Sequence, residues 1–359
     1  MKESHLSKFS YAALAVWLSF LSGAGFPNSQ SLTGAENEAR AAQLVQTGDL
    51  KGAEAEMRRA VELSPREPQY HFRLGVILAM QRRPQAAVEC FERALALAPE
   101  NLTLRRQLAL SLWQLGRLAS AQENLELILK ADPGDAQSLL LLGKVLIDAR
   151  RYAAALVVAQ QAAELMPSFY QVYSVKGMAE MRMQRYTDSA KSYARAAELN
   201  PNAVEVNLGL AMSLWAAGNS AESFATFEQG LKRFPSDAYH CLEYGRLLLK
   251  TAKPLDSATE ARATLLLQTA LKLKPTLPEA HYLLGDLALR RAKPEEALMH
   301  LEQAVKLDPE GAKIHFALFR TYRRLGRKED AAREEEVFQK LKAKEEGAVP
   351  APLLVGGLE

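Results

Sequence analysis

Six histidines and two cysteines are the residues of this 359-residue chain best suited to metal or nucleophilic chemistry. His71, His281 and His315 are far apart in sequence, and His5 lies near the N-terminus. His240 and Cys241 are adjacent, so on a helix they point about 100° apart, and no second pair completes a zinc set. Neither His240 nor His300 has a cysteine or carboxylate at metal-ligand spacing in the sequence, and no metal or cofactor is expected. There is no glycine-rich phosphate loop and no nucleophile elbow. Carboxylates are plentiful but stand beside Arg or Lys, as Glu92 stands beside Arg93. That pattern suits solvated helix faces better than paired acids and bases. No catalytic residue is nominated, and the chain reads as a non-enzyme.

The elements that carry these residues follow from one spacing. Pro65, Pro99, Pro133, Pro167, Pro201 and Pro235 recur every 34 residues, and Pro275 and Pro309 continue the series after one slip of six. Between the prolines, apolar residues recur at three and four positions in two runs. Each unit therefore reads as two amphipathic helices, A and B. The units are 34–67, 68–101, 102–135, 136–169, 170–203, 204–237, 238–277, 278–311 and 312–345. Repeat position 8 is small (Gly75, Ala109, Gly143, Gly177), as is position 20 (Ala53, Ala87, Ala121, Ala155). Position 24 carries large side chains such as Phe91, Tyr193 and Phe227. Alternating large and small residues lets paired helices interdigitate. Gly48, Gly116, Gly218 and Gly326 mark the A–B turn, and Pro84, Pro254 and Pro294 suit the first turn of helix B.

The composition agrees with an all-α chain: 48% hydrophobic, 24% charged and a net charge of +3. Such a balance argues against a nucleic-acid partner, which calls for a concentrated basic excess. At roughly 10 Å per stacked helix pair, Cys90 and Cys241 are too far apart for a disulfide, which needs Cα atoms within about 7 Å. Residues 11–26 form an uncharged apolar stretch, shorter than the ~20 residues of a membrane span, with small residues near its end at Ser22-Gly23-Ala24. Residues 1–24 thus read as a signal peptide or an N-terminal anchor, with 25–33 as linker. Export to a bacterial periplasm or to the medium is expected. The alternative is membrane anchoring by residues 11–26, with membrane contact only if the segment is uncleaved. Residues 346–359 read as a flexible tail.

Small residues at positions 8, 20 and 27, an aromatic or Leu at 24 and Pro at 32 resemble the tetratricopeptide repeat. Gly75, Ala87, Phe91, Ala94 and Pro99 match it position by position, and the resemblance covers residues 34–345. It implies a right-handed α-solenoid that binds a peptide or helix of another protein in a concave groove lined by the A helices. Positions 2, 5, 9, 12 and 13 would line that groove. Here they supply Phe72, Val76, Arg106, Leu110, Trp113, Lys144, Met178, Met181, Met212, Trp215, Arg246, Tyr282, Arg320, Arg323 and Arg324. The competing reading makes position 12 and part of position 9 half-buried core between A helices. The family's carboxylate clamp is not assembled by Arg106 and Lys144, and its asparagine ladder at position 6 is absent. Alternatives to peptide capture are a self-assembling envelope subunit and a regulatory module for a separate enzyme.

Three departures carry further expectations. His71, His281 and His315 all fall on position 4 and read as packing residues. Lys176 and Glu180 replace apolar residues at i,i+4 spacing and are placed to pair. Ser257-Ala-Thr-Glu260 reads as a capping box in the seventh unit, whose helix B either starts late or is lengthened.

Overall fold

Each proline sits one residue beyond the last helical cap, where its missing N–H and its constraint on the preceding residue stop helix B. In the computed structural model, which describes residues 33–251 and 256–347, the helices come in antiparallel pairs. The odd-numbered helices are A and the even-numbered are B. The first compact unit ends at Pro167. It holds α1 (Gly34–Gln46), α2 (Leu50–Leu63), α3 (Pro68–Met80), α4 (Pro84–Leu97), α5 (Leu102–Gln114), α6 (Leu118–Ala131), α7 (Ala136–Asp148) and α8 (Tyr152–Leu165). The second begins at Ser168. It holds α9 (Tyr170–Arg182), α10 (Tyr186–Leu199), α11 (Val204–Ala216), α12 (Ser220–Arg233), α13 (Ala238–Thr251), α14 (Ser257–Leu273), α15 (Pro278–Arg290), α16 (Pro294–Leu307), α17 (Ala312–Arg324) and α18 (Lys328–Gly347). No strand occurs among the described residues, so the all-α expectation holds.

The large-into-small rule is visible atom by atom. A methyl placed on Gly75 would lie 2.8 Å from Cδ1 of Phe91, and one on Gly285 would lie 2.7 Å from Cγ of Leu301. Tyr193 is held from two sides: Gly177 of its own pair and Gly209 of the next both press their bare backbones on its ring. The alanines at positions 20 and 27 are fully buried, among them Ala53, Ala60, Ala87 and Ala94.

The A–B turns need a left-handed residue. Gly48, Gly116, Gly218 and Gly326 adopt φ of +83°, +73°, +88° and +73°. The same turn position in other repeats is filled by Arg82, Arg150, Gln184 and Ala292, with φ between 55° and 60°. Those four side chains strain the backbone where glycine does not. Pro84 and Pro294 open helix B as expected, whereas Pro254 lies outside the described residues. In the seventh pair the cap is Asp256, not the Ser257–Glu260 box. Its carboxylate accepts from the backbone amides of Ala258 and Thr259, and α14 runs to 17 residues where most B helices have 14. The slip thus lengthens helix B in part. Both cysteines are free thiols. No described helix is long and apolar enough to cross a membrane, and the signal or anchor expectation falls on residues outside the described set.

Candidate functional site

The candidate surface lies on the odd-numbered helices. In the first unit Phe72 and Val76 are buried, at 9% and 5% exposure. Phe72 packs its ring 5.9 Å from that of Phe91. These two positions correct the groove assignment: their side chains are buried and not open to a groove. Arg106, Leu110, Trp113 and Lys144 remain half-exposed. Arg106 is nevertheless engaged. It reaches across to the next repeat, bonding Asp135 Oδ2 at 2.5 Å, Gln137 Oε1 at 2.9 Å and Ser138 Oγ at 3.1 Å. Burial of Asp135 acts to raise its carboxyl pKa. The hydrogen bonds from Arg106 and Ser138 more than reverse this and hold it below the usual range. Trp113 likewise donates its indole N–H to Asp148 Oδ2 at 2.6 Å, linking position 12 of one repeat to position 13 of the next.

In the second unit Met178, Met181, Met212, Trp215 and Tyr282 are half-exposed. Met212 and Trp215 pack against a buried cluster that includes Leu242, Leu247 and Leu248, so the apolar face and the core are continuous there. Arg246 is the third correction. It is buried at 4% exposure, with its guanidinium held by Glu243 one helical turn back. Tyr282 lies under the Lys313 ammonium, 4.9 Å from its ring centroid. Burial, with the charges of Asp286 and Glu279, pushes its hydroxyl up to about 12. Arg320 is half-exposed, while Arg323 and Arg324 are exposed. Arg320 and Arg323 stack over Phe316 and Phe319 at 5.9 and 5.6 Å.

Several features had no reading in the sequence. The position-4 histidines do more than pack. His71 Nε2 lies 2.8 Å from the carbonyl of Pro65, His315 Nε2 lies 3.0 Å from that of Pro309, and His281 Nε2 lies 3.3 Å from that of Pro275. Arg105, at the same repeat position, reaches the carbonyl of Pro99 at 2.9 Å. The turn amides bond instead to the residue before the proline, as Glu67 N does to Ser64 O and Asn101 N to Ala98 O. A position-4 donor therefore satisfies the proline carbonyl, and the recurrence of His at one register was the legible signal.

His240 does have a carboxylate beside it, contrary to the spacing-based reading. Asp237 Oδ2 lies 2.7 Å from Nδ1, and Asn207 Oδ1 lies 2.9 Å from Nε2. The reason is local: Asp237 stands just before α13 and also accepts the backbone N–H of His240 at 3.0 Å. The imidazole is fully buried, so this is an inter-repeat tie with no room for a substrate. His281 and His300 face each other with Nδ1 atoms 3.4 Å apart. No cluster of three or more metal-ligating side chains exists among the described residues.

Glu180 is also corrected. It accepts a hydrogen bond at 2.6 Å from Ser192 of the facing helix, where an ion pair with Lys176 was expected. Burial raises its carboxyl pKa above the ordinary value. Cavities are modest. One of about 270 Å³ is lined by Arg58, Val61, Leu74, Leu78 and Cys90, and another of about 360 Å³ by Leu129, Leu139, Val158 and Leu165. Small-molecule sites generally need about 300–1,000 Å³, so the first falls below that range and the second just inside its lower end. The extended helix faces are the larger resource.

A stack of helix pairs, with small residues under large ones and a proline after every helix B, matches a known family model. The model described as tetratricopeptide repeat matches residues 39–101, 175–238, 208–278 and 282–344, and a second model of the same description matches 78–145. The chain belongs to the tetratricopeptide repeat family. Tetratricopeptide repeat proteins generally mediate protein–protein interactions and are generally non-catalytic scaffolds. Among solved structures, a tetratricopeptide repeat protein from Parabacteroides merdae superposes with a TM-score of 0.55 at 17% identity, over 80% of this chain and 98% of that one. Yeast Tom70 gives 0.57 at 16% identity, over 87% and 85%. At such identities these likenesses show the fold alone. A curated relative, anaphase-promoting complex subunit 3 of Schizosaccharomyces pombe, is 20% identical over 240 residues. That alignment takes in 67% of this chain and 35% of the relative, so the chain spans about a third of the relative's length.

Proposed function

We propose that this tetratricopeptide repeat chain is a non-catalytic scaffold that captures a peptide or helix of another protein on its A-helix face. The observation that carries the reading is the half-exposed apolar set there: Leu110 and Trp113 in the first unit, and Met178, Met181, Met212 and Trp215 in the second. Trp and Met are enriched where surfaces bind, and Met adapts its shape to a partner. Both tryptophans have a structural contact, yet both keep part of their surface open to a partner. Capture would follow the helix-in-groove or extended-segment mode. The name of the curated relative, a subunit of a complex, is compatible with such a role. The apolar stretch at residues 11–26 supports a site of action outside the cytoplasm, whether cleaved or anchored.

The test is crosslinking in the native cell followed by mass spectrometry, for the parent chain and for Trp113→Ala and Trp215→Ala. Loss of the principal crosslinked protein in either variant is expected. An unchanged partner set in both, with helicity preserved by circular dichroism, would refute capture on this face.

A further inference from the structure

The charge on the last three A helices does not balance. Helices α13, α15 and α17 carry seven cations (Arg246, Lys250, Arg290, Lys313, Arg320, Arg323 and Arg324) against three carboxylates, Glu243, Glu279 and Asp286. These helices lie side by side in the second unit, α13 against α15 and α15 against α17. Each carboxylate already has its own cation. Glu243 holds Arg246, Glu279 holds Lys313, and Asp286 holds Arg290 at 2.7 Å. Arg320 comes only within 3.7 Å of that same Asp286. Arg323 has the Phe319 ring, and Arg324 has the backbone carbonyl of Leu289. Lys250 has no hydrogen-bond or ion-pair partner among the described residues. Four cations are thus in surplus. The neighbouring helix α18 runs the other way, with seven acidic residues against five basic.

We infer that the A-helix face of the last three repeats is a docking surface for an acidic segment of a partner protein, with apolar residues interleaved among its carboxylates. The inference deepens the capture reading above and rests on it. The surplus cations span two helix spacings of about 8–10 Å each, the reach of some six extended residues at roughly 3.3 Å per residue. Phe316, exposed at 41% beside Arg320 and packed on Phe338, offers an apolar contact next to the arginines. Stacking on Phe316 and Phe319 restrains Arg320 and Arg323, so less side-chain freedom is lost when they bind an anion. Lys250 is half-buried. Burial, then the nearby Arg246, pushes its ammonium below the usual lysine range, against the opposing pull of Glu243 and Glu279. A carboxylate arriving there relieves that cost, because an opposite charge favours the ionised form.

The experiment is fluorescence anisotropy with the full chain and a labelled peptide of twelve alternating Glu-Glu-Leu residues, against the same peptide with Lys for Glu. The acidic probe is expected to bind and to weaken as salt rises, and the basic probe to fail. Arg323→Glu and Lys250→Gln should each weaken binding, and the pair together by about tenfold or more. Arg323 is exposed, so its variant is expected to keep the parent's circular dichroism and remain a valid arm. No binding of the acidic probe at low salt, or binding indifferent to both variants, overturns the inference. So does displacement of the probe by phosphatidylserine vesicles or single-stranded RNA more readily than by unlabelled acidic peptide. If the probe fails while Trp215→Ala still loses the cellular partner, capture stands and only the partner's charge is wrong.

Discussion

Gly209→Ala sets two well-known effects against each other. Gly209 lies inside α11, and alanine is the better helix former there by about 1 kcal/mol. If propensity governed, the variant would be more stable. The added methyl, however, would sit 2.5 Å from Cζ of Tyr193 and 2.9 Å from Cδ1. Those are atoms of a rigid ring, 5% exposed, whose other side is closed by Gly177. A methyl there would be 2.8 Å from Cδ2. The ring has no side to which it can retreat. Overpacking of this kind costs about 1–3 kcal/mol, and a ring blocked on both faces belongs at the upper end. The net expectation is a loss of about 1–2 kcal/mol after the propensity gain. Urea unfolding followed by circular dichroism at 222 nm measures it, with amide exchange in α9–α11 to localise the effect. Tyr193→Leu, costly alone, should make Gly209→Ala less harmful, since the clash is gone. A Gly209→Ala protein more stable than the parent, or additive with Tyr193→Leu, would refute the two-glycine clamp.

Two further outcomes follow from the turns and from the buried acid. Gln184→Gly and Ala292→Gly relieve left-handed strain of about 1–2 kcal/mol, offset by about 0.4–1 kcal/mol of added freedom in the unfolded chain. A small gain in unfolding midpoint is expected, and Gly218→Ala should lose a comparable amount, about 0.5–1 kcal/mol. Glu180 has a folded pKa above its unfolded value, so its share of stability is fully present below the unfolded pKa and is lost as pH rises through the folded pKa. Glu180→Gln, which keeps an acceptor for Ser192, should therefore stabilise at neutral pH, with the advantage vanishing by about pH 4. Paired denaturation curves at pH 4 and pH 7 check this.

Much of the fold was legible because it repeats. One proline ladder gave the helix breaks, and the small residues at positions 8, 20 and 27 gave the close packing. Exposure was harder to read. Val76 and Arg246 share position 9 with Met178 and Met212, and Phe72 shares position 5 with Arg106 and Tyr282, yet these three are buried. Whether such a side chain faces solvent depends on the bulk of its neighbours, and a repeat register does not encode that. Polar ties between repeats were equally hidden. Arg106 with Asp135 and Trp113 with Asp148 join residues 29 and 35 apart, so no local spacing connects them. Glu180 broke the apolar pattern in plain view, but its partner Ser192 lies on the facing helix. The charge surplus was visible only in part, as Arg320, Arg323 and Arg324. Lys250 joined it once the bonded pairs could be set aside.

The brace from position 4 to the proline carbonyl has a mechanical consequence. Where His71, Arg105 or His315 spans it, the link between one helix pair and the next is a closed ring of bonds. Pulling the pairs apart must then break a polar contact before any helix unwinds. At Pro133 the matching residue is Leu139, which has no side-chain donor to reach back with. Under load the first unit is therefore a chain of braced joints with one that lacks the brace. There the load falls on the side chains of Arg106 and Trp113, which tie its two sides together.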